Sequence, residues 1–455
     1  MVATRMTTHQ EATAIIKGCS HFGFCTATCP TYQLTHDENE SPRGRIELIR
    51  TMIETGGPPE TATVGHLDSC LSCLACVSTC AVKVDYMHLI DYAKTYVERH
   101  FRRPLKDRML RGLIAAVVPN RHLFKAAMVA GRYAKGFGRI PRGRGAGLLD
   151  FVPGALPTEP ADLCAGTYEA AGERRWRVAL LAGCAQRVLA PQINAATVRL
   201  LRRHGCEVVV VRGVECCGAL TLHMGRSEGL RAAKRNIDAL LRENRFHPLD
   251  AVIVNASGCG TTMKDYGHLF KHDPLYREKA RQVSALTADV SEFVERIGLM
   301  PATRKKPFRV AYHDACSLRN GQRVTRQPRA LLRSAGFSIV DIPETHFCCG
   351  SAGTYNLLQP EVAKQLGERK ARHADSTGAA MLAVGNIGCI TQISRYTNLP
   401  VLHTVELLDW ATGGPEPPSL RGRRLAECVE STAAAADIPP LVQERIAPGS
   451  SIGIW

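Results

Sequence analysis

Beyond residue 175 the apolar positions fall in short solid blocks: Val178–Ala182, Val208–Val211 and Ala251–Val254. Blocks of four or five residues are too short for helices and suit strands covered on both faces. Between the first two, Ala195–His204 carries apolar residues at helical spacing and is followed by Gly205, a helix stop. The order returns in Arg309–Tyr312, Ser338–Ile342 and Met381–Val384. Alternating strand and helix predicts a parallel sheet in each copy. The loops after the strands then gather at one edge, where such folds hold ligands. No uninterrupted apolar run exceeds six residues, against the ~18 or more needed to cross a bilayer.

Other stretches differ in character. Residues 101–150 carry 12 Lys/Arg against 2 Asp/Glu, together with the apolar patch Leu113–Val118. They read as basic amphipathic helices bridging the two halves. Residues 151–175, with Pro153, Pro157 and Pro160, read as a linker. Residues 415–455 hold six prolines without periodicity and read as a loosely ordered tail. The expected layout is a mainly helical unit over 1–100, a basic helical segment and linker over 101–175, repeated α/β units over 176–300 and 301–414, and a tail over 415–455. This is an α+β multidomain chain.

Composition agrees and narrows the chemistry. At 455 residues and ~150 residues per domain, about three domains are expected. The chain is 45% hydrophobic and 22% charged, as soluble globular proteins are. Lys plus Arg exceeds Asp plus Glu by 16, and ten of those charges sit in 101–150. Such a segment is either a solvated face or a docking surface for anionic lipid or an acidic partner. Nucleic acid is not expected, since aromatic residues are 6% and no recognised RNA or DNA module is present. Met1–Arg5 leads into no apolar core of a secretory signal. A cytoplasmic location, peripheral on the inner membrane at most, is expected.

Eighteen cysteines in a reducing compartment point to metal rather than disulfides. Cys70, Cys73, Cys76 and Cys80 stand in the C-x2-C-x2-C-x3-C spacing of a two-cluster ferredoxin. Three thiolates two residues apart wrap one iron–sulfur cube, and the fourth reaches the other cluster. Cys19, Cys25 and Cys29 repeat the spacing, with Phe22 in place of the second Cys. Crossed ligation assigns Cys70, Cys73, Cys76 and Cys29 to a complete 4Fe-4S site. Cys19, Cys25 and Cys80 supply only three thiolates to the other site, which points first to a 3Fe-4S cluster, with a 4Fe-4S cube carrying a non-protein ligand or an empty site as the alternatives. His21 is expected to point outward. A zinc site would normally use two C-x2-C pairs, which fits this spacing poorly.

The remaining grouped cysteines form a true internal repeat. Cys184, Cys216, Cys217 and Cys259 are matched by Cys316, Cys348, Cys349 and Cys389, at offsets of 132, 132, 132 and 130. Thiolates so close repel unless a metal neutralises them. An iron–sulfur cluster or another metal is the functional reading; buried structural thiols or a vicinal disulfide is the alternative. Cys164, Cys206 and Cys428 fit no group.

The chain resembles the iron–sulfur subunit of bacterial glycolate oxidase (glycolate dehydrogenase) over roughly residues 10–412. The marks are Phe24–Tyr32, Ser41–Ile46, Asn255–Gly260, Cys348–Tyr355 and Asn386–Cys389. The repeats are also similar to the CCG domains of heterodisulfide reductase, except that Thr262 and Gln392 occupy the final Cys position. Phe22 likewise departs from the family's usual Cys. The resemblance implies an electron-transfer subunit without a catalytic residue for the organic substrate. An FAD-binding dehydrogenase subunit would oxidise the 2-hydroxy acid, glycolate to glyoxylate, and electrons would pass to the quinone pool or another acceptor. Relays for lactate or glycerol 3-phosphate, or a thiol–disulfide reductase, are the other readings. No Gly-rich phosphate loop in a strand–turn–helix setting is visible; Arg142–Gly147 follows no strand.

Overall fold

A computed structural model describes residues 7–136, 152, 164–303 and 307–423. The Arg142–Gly147 stretch, residues 151 and 153–163 of the expected linker, Cys428 and the tail beyond 423 lie outside the described residues. Residues 7–100 form a helical unit with no strand. Local signals set its boundaries. Thr8 and Glu11 close a capping box at the head of His9–Lys17. Ser41 accepts the Gly44 N–H at 3.0 Å, and Pro42 opens the helix Pro42–Thr55. Ala12, Ile49, Leu67, Leu89, Ile90 and Ala93, all fully buried, form its core.

The repeats are two sheets built on one plan. In the first, β1 (Gly166–Tyr168), β2 (Trp176–Leu181), β3 (Cys206–Val210), β4 (Ala251–Val254) and β5 (Thr287–Asp289) stand in the order β1-β3-β2-β4-β5. In the second, β6 (Arg309–His313), β7 (Ser338–Asp341), β8 (Met381–Val384) and β9 (Val401–His403) stand in the order β7-β6-β8-β9. Register repeats as well: Val178 faces Val208 and Ala251, and Val310 faces Ile339 and Met381. All pairings are parallel except β1 with β3. The antiparallel β1 edge lies in the stretch expected to be linker. The short β5 and β9 were not expected either: three residues are too few to show a period.

The two sheets share one apolar core. Leu200, Val294, Leu332 and Leu408, from helices Pro191–Arg203, Val290–Ile297, Gln327–Ser334 and Thr404–Ala411, join β2 and β6 residues in one buried cluster. Arg199 and Arg203 of the first repeat reach the buried Asp409 of the second at 2.6 and 2.5 Å. The start of the expected tail is packed here too: Leu420 is buried, and Arg423 donates to the Asn398 carbonyl.

The helical unit docks on both repeats. Asn320 Nδ2 donates to the Cys73 carbonyl at 2.9 Å and Asn320 Oδ1 accepts from Ser78 at 2.9 Å. His88 bridges Asp85 at 2.6 Å and Asp265 at 3.1 Å. The basic segment is helical as expected, in Leu105–Val117 and Arg121–Gly136, which meet at a 117° bend. Arg103 and Arg111 tie its first helix to Asp68 at 2.6 and 2.9 Å, and its second packs on Ala185–Leu189. Among the described residues no single helix is long and apolar enough to cross a membrane.

Candidate iron–sulfur centres

The two N-terminal cysteine loops share one backbone shape. In the complete loop Ser72 and Leu74 have positive φ; in the other His21 and Gly23 do. Each pair flanks one position, occupied by Cys73 or by Phe22. Left-handed backbone at non-glycine residues is strained and persists where surroundings enforce it. Phe22 therefore sits on the same kind of turn as Cys73 although it carries no thiol. The helices Phe24–Thr28 and Ala75–Thr79 that follow the loops pack side by side, joined by a 3.1 Å contact between the Thr28 and Thr79 hydroxyls.

Cys29, Cys70, Cys73 and Cys76 are buried, and Cys29 and Cys70 stand close enough to Cys73 and Cys76 to add to the rise in their titration. Burial pushes Cys73 and Cys76 well above the ordinary thiol value. Cys19, Cys25 and Cys80 are half-buried at one edge of the same core. Cys25 is raised by burial and by Cys19. Phe22, 64% exposed, leaves that edge open to solvent. His21 turns away to Glu47 at 3.0 Å.

The Ser41–Ile46 stretch has a structural purpose that sequence reading did not reach. Arg45 is fully buried. It donates to the Glu40 carbonyl and carboxylate, Thr31 Oγ1 and the His66 carbonyl, and reaches to 4.0 Å from Cys29 Sγ. Burial opposes its charge, but Cys70, Tyr86, Cys29 and Glu40 hold it still more firmly protonated than usual. A permanent cation thus stands beside Cys29 and within Coulombic reach of Cys70, where an anionic cluster would need one. Nothing separates such an arginine in sequence from a surface helix arginine.

In each repeat the four cysteines come together. Gly218 and Gly350, which follow the paired cysteines, have φ of 92° and 84°. A Cβ at either would lie 2.5 or 2.6 Å from the carbonyl of Gly229 or Ala363. The Cys-Cys-Gly triplet is thus demanded by both handedness and space. A hydrogen bond to Cys216, then burial, pushes Cys184 well above its ordinary value. The same bond and one from Cys217 hold Cys216 well below it. Cys316 and Cys348 Sγ lie 3.8 Å apart. Cys349 and Cys389 stand with His313, their donor atoms all within 4.8 Å. His313 is buried, and neither ring nitrogen has a hydrogen-bond partner. A buried imidazole with two orphaned nitrogens beside two thiols is a further donor for a metal. It sits in a strand-end pattern that reads as core. Thr262 and Gln392, where CCG domains usually place a last Cys, hydrogen-bond the Gly258 and Ala363 carbonyls instead.

All eight repeat cysteines line one cavity of about 210 Å3, and Cys70 lines it too. Cys73 packs with Cys348 and lies beside Cys316. The sequence predicts two separate cysteine sites; the pseudo-symmetric packing merges them and sets the ferredoxin-type loop at their mouth. The donor set fits iron–sulfur chemistry: soft thiols, dry surroundings and a neighbouring cation. Every described cysteine is unbridged. Cys206 is buried in β3, its thiol pushed up to about 12 by burial, and Cys164 is exposed.

Comparison with known proteins follows the same divisions. Residues 15–84 match the 4Fe-4S dicluster domain family, and 178–264 and 310–394 match the cysteine-rich domain family. The glycolate oxidase iron-sulfur subunit of Escherichia coli K12 is 38% identical over 402 residues, covering 88% of this chain and 95% of that one. The probable glycolate oxidase iron-sulfur subunit of Bacillus subtilis is 31% identical over 82% of this chain and 87% of that one. Lactate utilization protein A of Oceanobacillus iheyensis is 27% identical over 51% of this chain and 96% of its own length. A crystal structure of a hypothetical protein from Helicobacter pylori shares the fold at a TM-score of 0.54 and 10% identity, covering 85% of this chain and 70% of that one. The chain belongs to the family of glycolate oxidase iron–sulfur subunits and is an electron-transfer subunit of an oxidoreductase.

Proposed function

We propose that this chain carries electrons from a flavin-bearing partner that oxidises a 2-hydroxy acid, glycolate foremost, to a lipid-borne quinone at the cytoplasmic face of the membrane. The observation that carries this reading is the single cavity uniting eight repeat cysteines with the Cys70 loop. Iron–sulfur clusters, when bound, supply one-electron carriers whose potentials follow their ligands, charge and burial. Cys29, Cys70, Cys73 and Cys76 would hold a 4Fe-4S cluster. Cys19, Cys25 and Cys80, with Phe22 in the fourth slot, would hold a 3Fe-4S cluster. The two repeats would hold further clusters on their four cysteines each, with His313 a further donor in the second.

The chain's own residues do the rest. Arg45 keeps positive charge at the Cys29–Cys70 pair. Asn320 locks the Cys73 loop against the second repeat, and Lys94 donates to the Cys70 carbonyl at 3.1 Å. A relay for lactate is the second reading, favoured by the matches to lactate utilization protein A. The test is the native complex, purified without oxygen and offered glycolate, lactate and glycerol 3-phosphate in turn. Bleaching of the visible iron–sulfur absorbance by glycolate first supports the reading. Bleaching by lactate alone favours the second, and bleaching by none of the three ends both.

A further inference from the structure

Beside the cysteine cavity lies a second one, of about 280 Å3, between the two basic helices and the repeats. Small-molecule pockets begin at roughly 300 Å3, so one planar ring fits. The walls are almost wholly apolar. Leu110, Ile114 and Met128 form the outer side; Ala185, Gly353 and Gly388 form the inner one. Those three inner residues also line the cysteine cavity. Ala185 follows Cys184 and Gly388 precedes Cys389, so a ring here would be one residue removed from both cysteine sites. Ser351, Thr354 and Thr391 are the hydroxyl-bearing residues of the inner side.

The other side of the cavity faces outward through unusual helices. Leu105, Met109 and Leu113 repeat at four-residue intervals, and each is more than half exposed. Leu123, Val129 and Tyr133 continue the exposed apolar surface on the second helix. Lys106, Arg108, Lys125 and Arg132 are exposed on the same two helices. An apolar face bordered by cations is the pattern of helices that lie in the headgroup layer of an anionic membrane. At 13 and 16 residues and ~1.5 Å per residue, neither helix spans a ~30 Å hydrocarbon core.

We infer that this cavity binds the ring of a lipid-borne quinone, which enters between the two membrane-seated helices and is reduced against the cysteine sites of both repeats. The inference rests on the relay reading above and gives it an exit. The quinone takes up two electrons, delivered singly from the hydroxy-acid oxidation, and two protons from water, and leaves as the quinol. An acidic protein partner does not account for an apolar cavity opening between apolar helix faces, whereas a membrane-dissolved ring does.

The test uses the full chain with its iron and sulfide, bound to phosphatidylglycerol vesicles. A photoreactive azidoquinone is the probe, and an azido-acyl lipid lacking the ring is its comparison. We expect the azidoquinone to label peptides from 105–128 and 351–391 at least about tenfold over the ringless probe, a difference of roughly 1.4 kcal/mol. Leu110→Trp and Leu357→Trp, at half-buried wall positions, should each fill the cavity. Each should then cut labelling and quinol-driven bleaching of the iron–sulfur absorbance about tenfold, with iron and sulfide contents held. Label confined to other segments, equal labelling by the ringless lipid, or indifference to both tryptophans would overturn the assignment. Quinol-driven bleaching needs no hydroxy acid, so the two ideas fail separately. A complex inert to every hydroxy acid sinks the relay reading, whereas cavity labelling lost in a glycolate-competent complex sinks this site alone.

Discussion

At the scale of single residues, two side chains decide what the N-terminal loops can hold. Phe22 occupies the position that Cys73 occupies in the sister loop, on backbone of the same handedness. Phe22→Cys therefore meets a turn already shaped for ligation. It should convert a three-thiolate site into a four-thiolate one and add about one iron per chain. Low-temperature EPR reads the outcome: the oxidised 3Fe-4S signal should disappear and a second reduced cubane signal appear. An unchanged spectrum with unchanged iron would mean that position 22 does not face the cluster. Arg45 acts by charge. Arg45→Gln keeps some of its hydrogen bonds and removes the cation beside Cys29. The adjoining cluster's potential should fall by about 60 mV, the one-electron equivalent of roughly 1.4 kcal/mol. A redox titration that finds no shift would reduce Arg45 to a packing residue.

At the scale of elements, the sequence was most legible where strands are solid apolar runs. Ala251–Val254 and Met381–Val384 are found as expected, because four apolar residues in a row leave no other economical burial. Helix Pro191–Arg203 starts four residues before the expected Ala195, since its opening turn is set by Pro191 rather than by apolar spacing. The β5 and β9 strands were hidden because a pairing partner, not their own composition, makes them strands. The clamp between helix Tyr86–His100 and the first repeat was also illegible, because it joins residues 177 positions apart. Burial works against a charge on His88, but Asp265 and Asp85 outweigh it and raise its pKa to about 10. The stacked His268 ring stays neutral, pushed down to about 3 by burial and by His88. Asp91 nearby is pushed up to about 6 by burial, and Lys271 is paired with Glu11. His88→Ala should cost about 1.5–3 kcal/mol, the worth of charge-assisted hydrogen bonds. His88 carries a raised pKa, so its contribution is whole below its unfolded value of ~6.5 and drains away as pH climbs through about 10. Denaturation of both proteins from pH 6 to pH 10 checks the sign: the gap should shrink steadily. A gap that grows with pH would contradict the charged clamp.

At the scale of the whole molecule, duplication does more than double a site. Each repeat has its own sheet, and the cysteines of both line one cavity. Pro191–Arg203 of one repeat lies against Thr404–Ala411 of the other. The spacing of the cysteines was readable, and the merger was not, since it depends on how two copies meet. Asp409 is the polar pin of that meeting, buried and held by Arg199 and Arg203. Asp409→Ala leaves two arginines facing an apolar seam without their anion. Both arginines keep contact with solvent, so the loss is about 1–3 kcal/mol, the worth of charge-assisted hydrogen bonds left unmade. That is a large share of the roughly 5–15 kcal/mol that hold a domain folded. Because the cysteines of both repeats line the same space, the loss should not fall on one copy. Iron and sulfide associated with the repeats should decline together, while EPR of the N-terminal centres persists. Joint decline ties the two copies into one functional unit. Loss from a single copy would show that each repeat keeps its own metal site, with the shared cavity only a boundary between them.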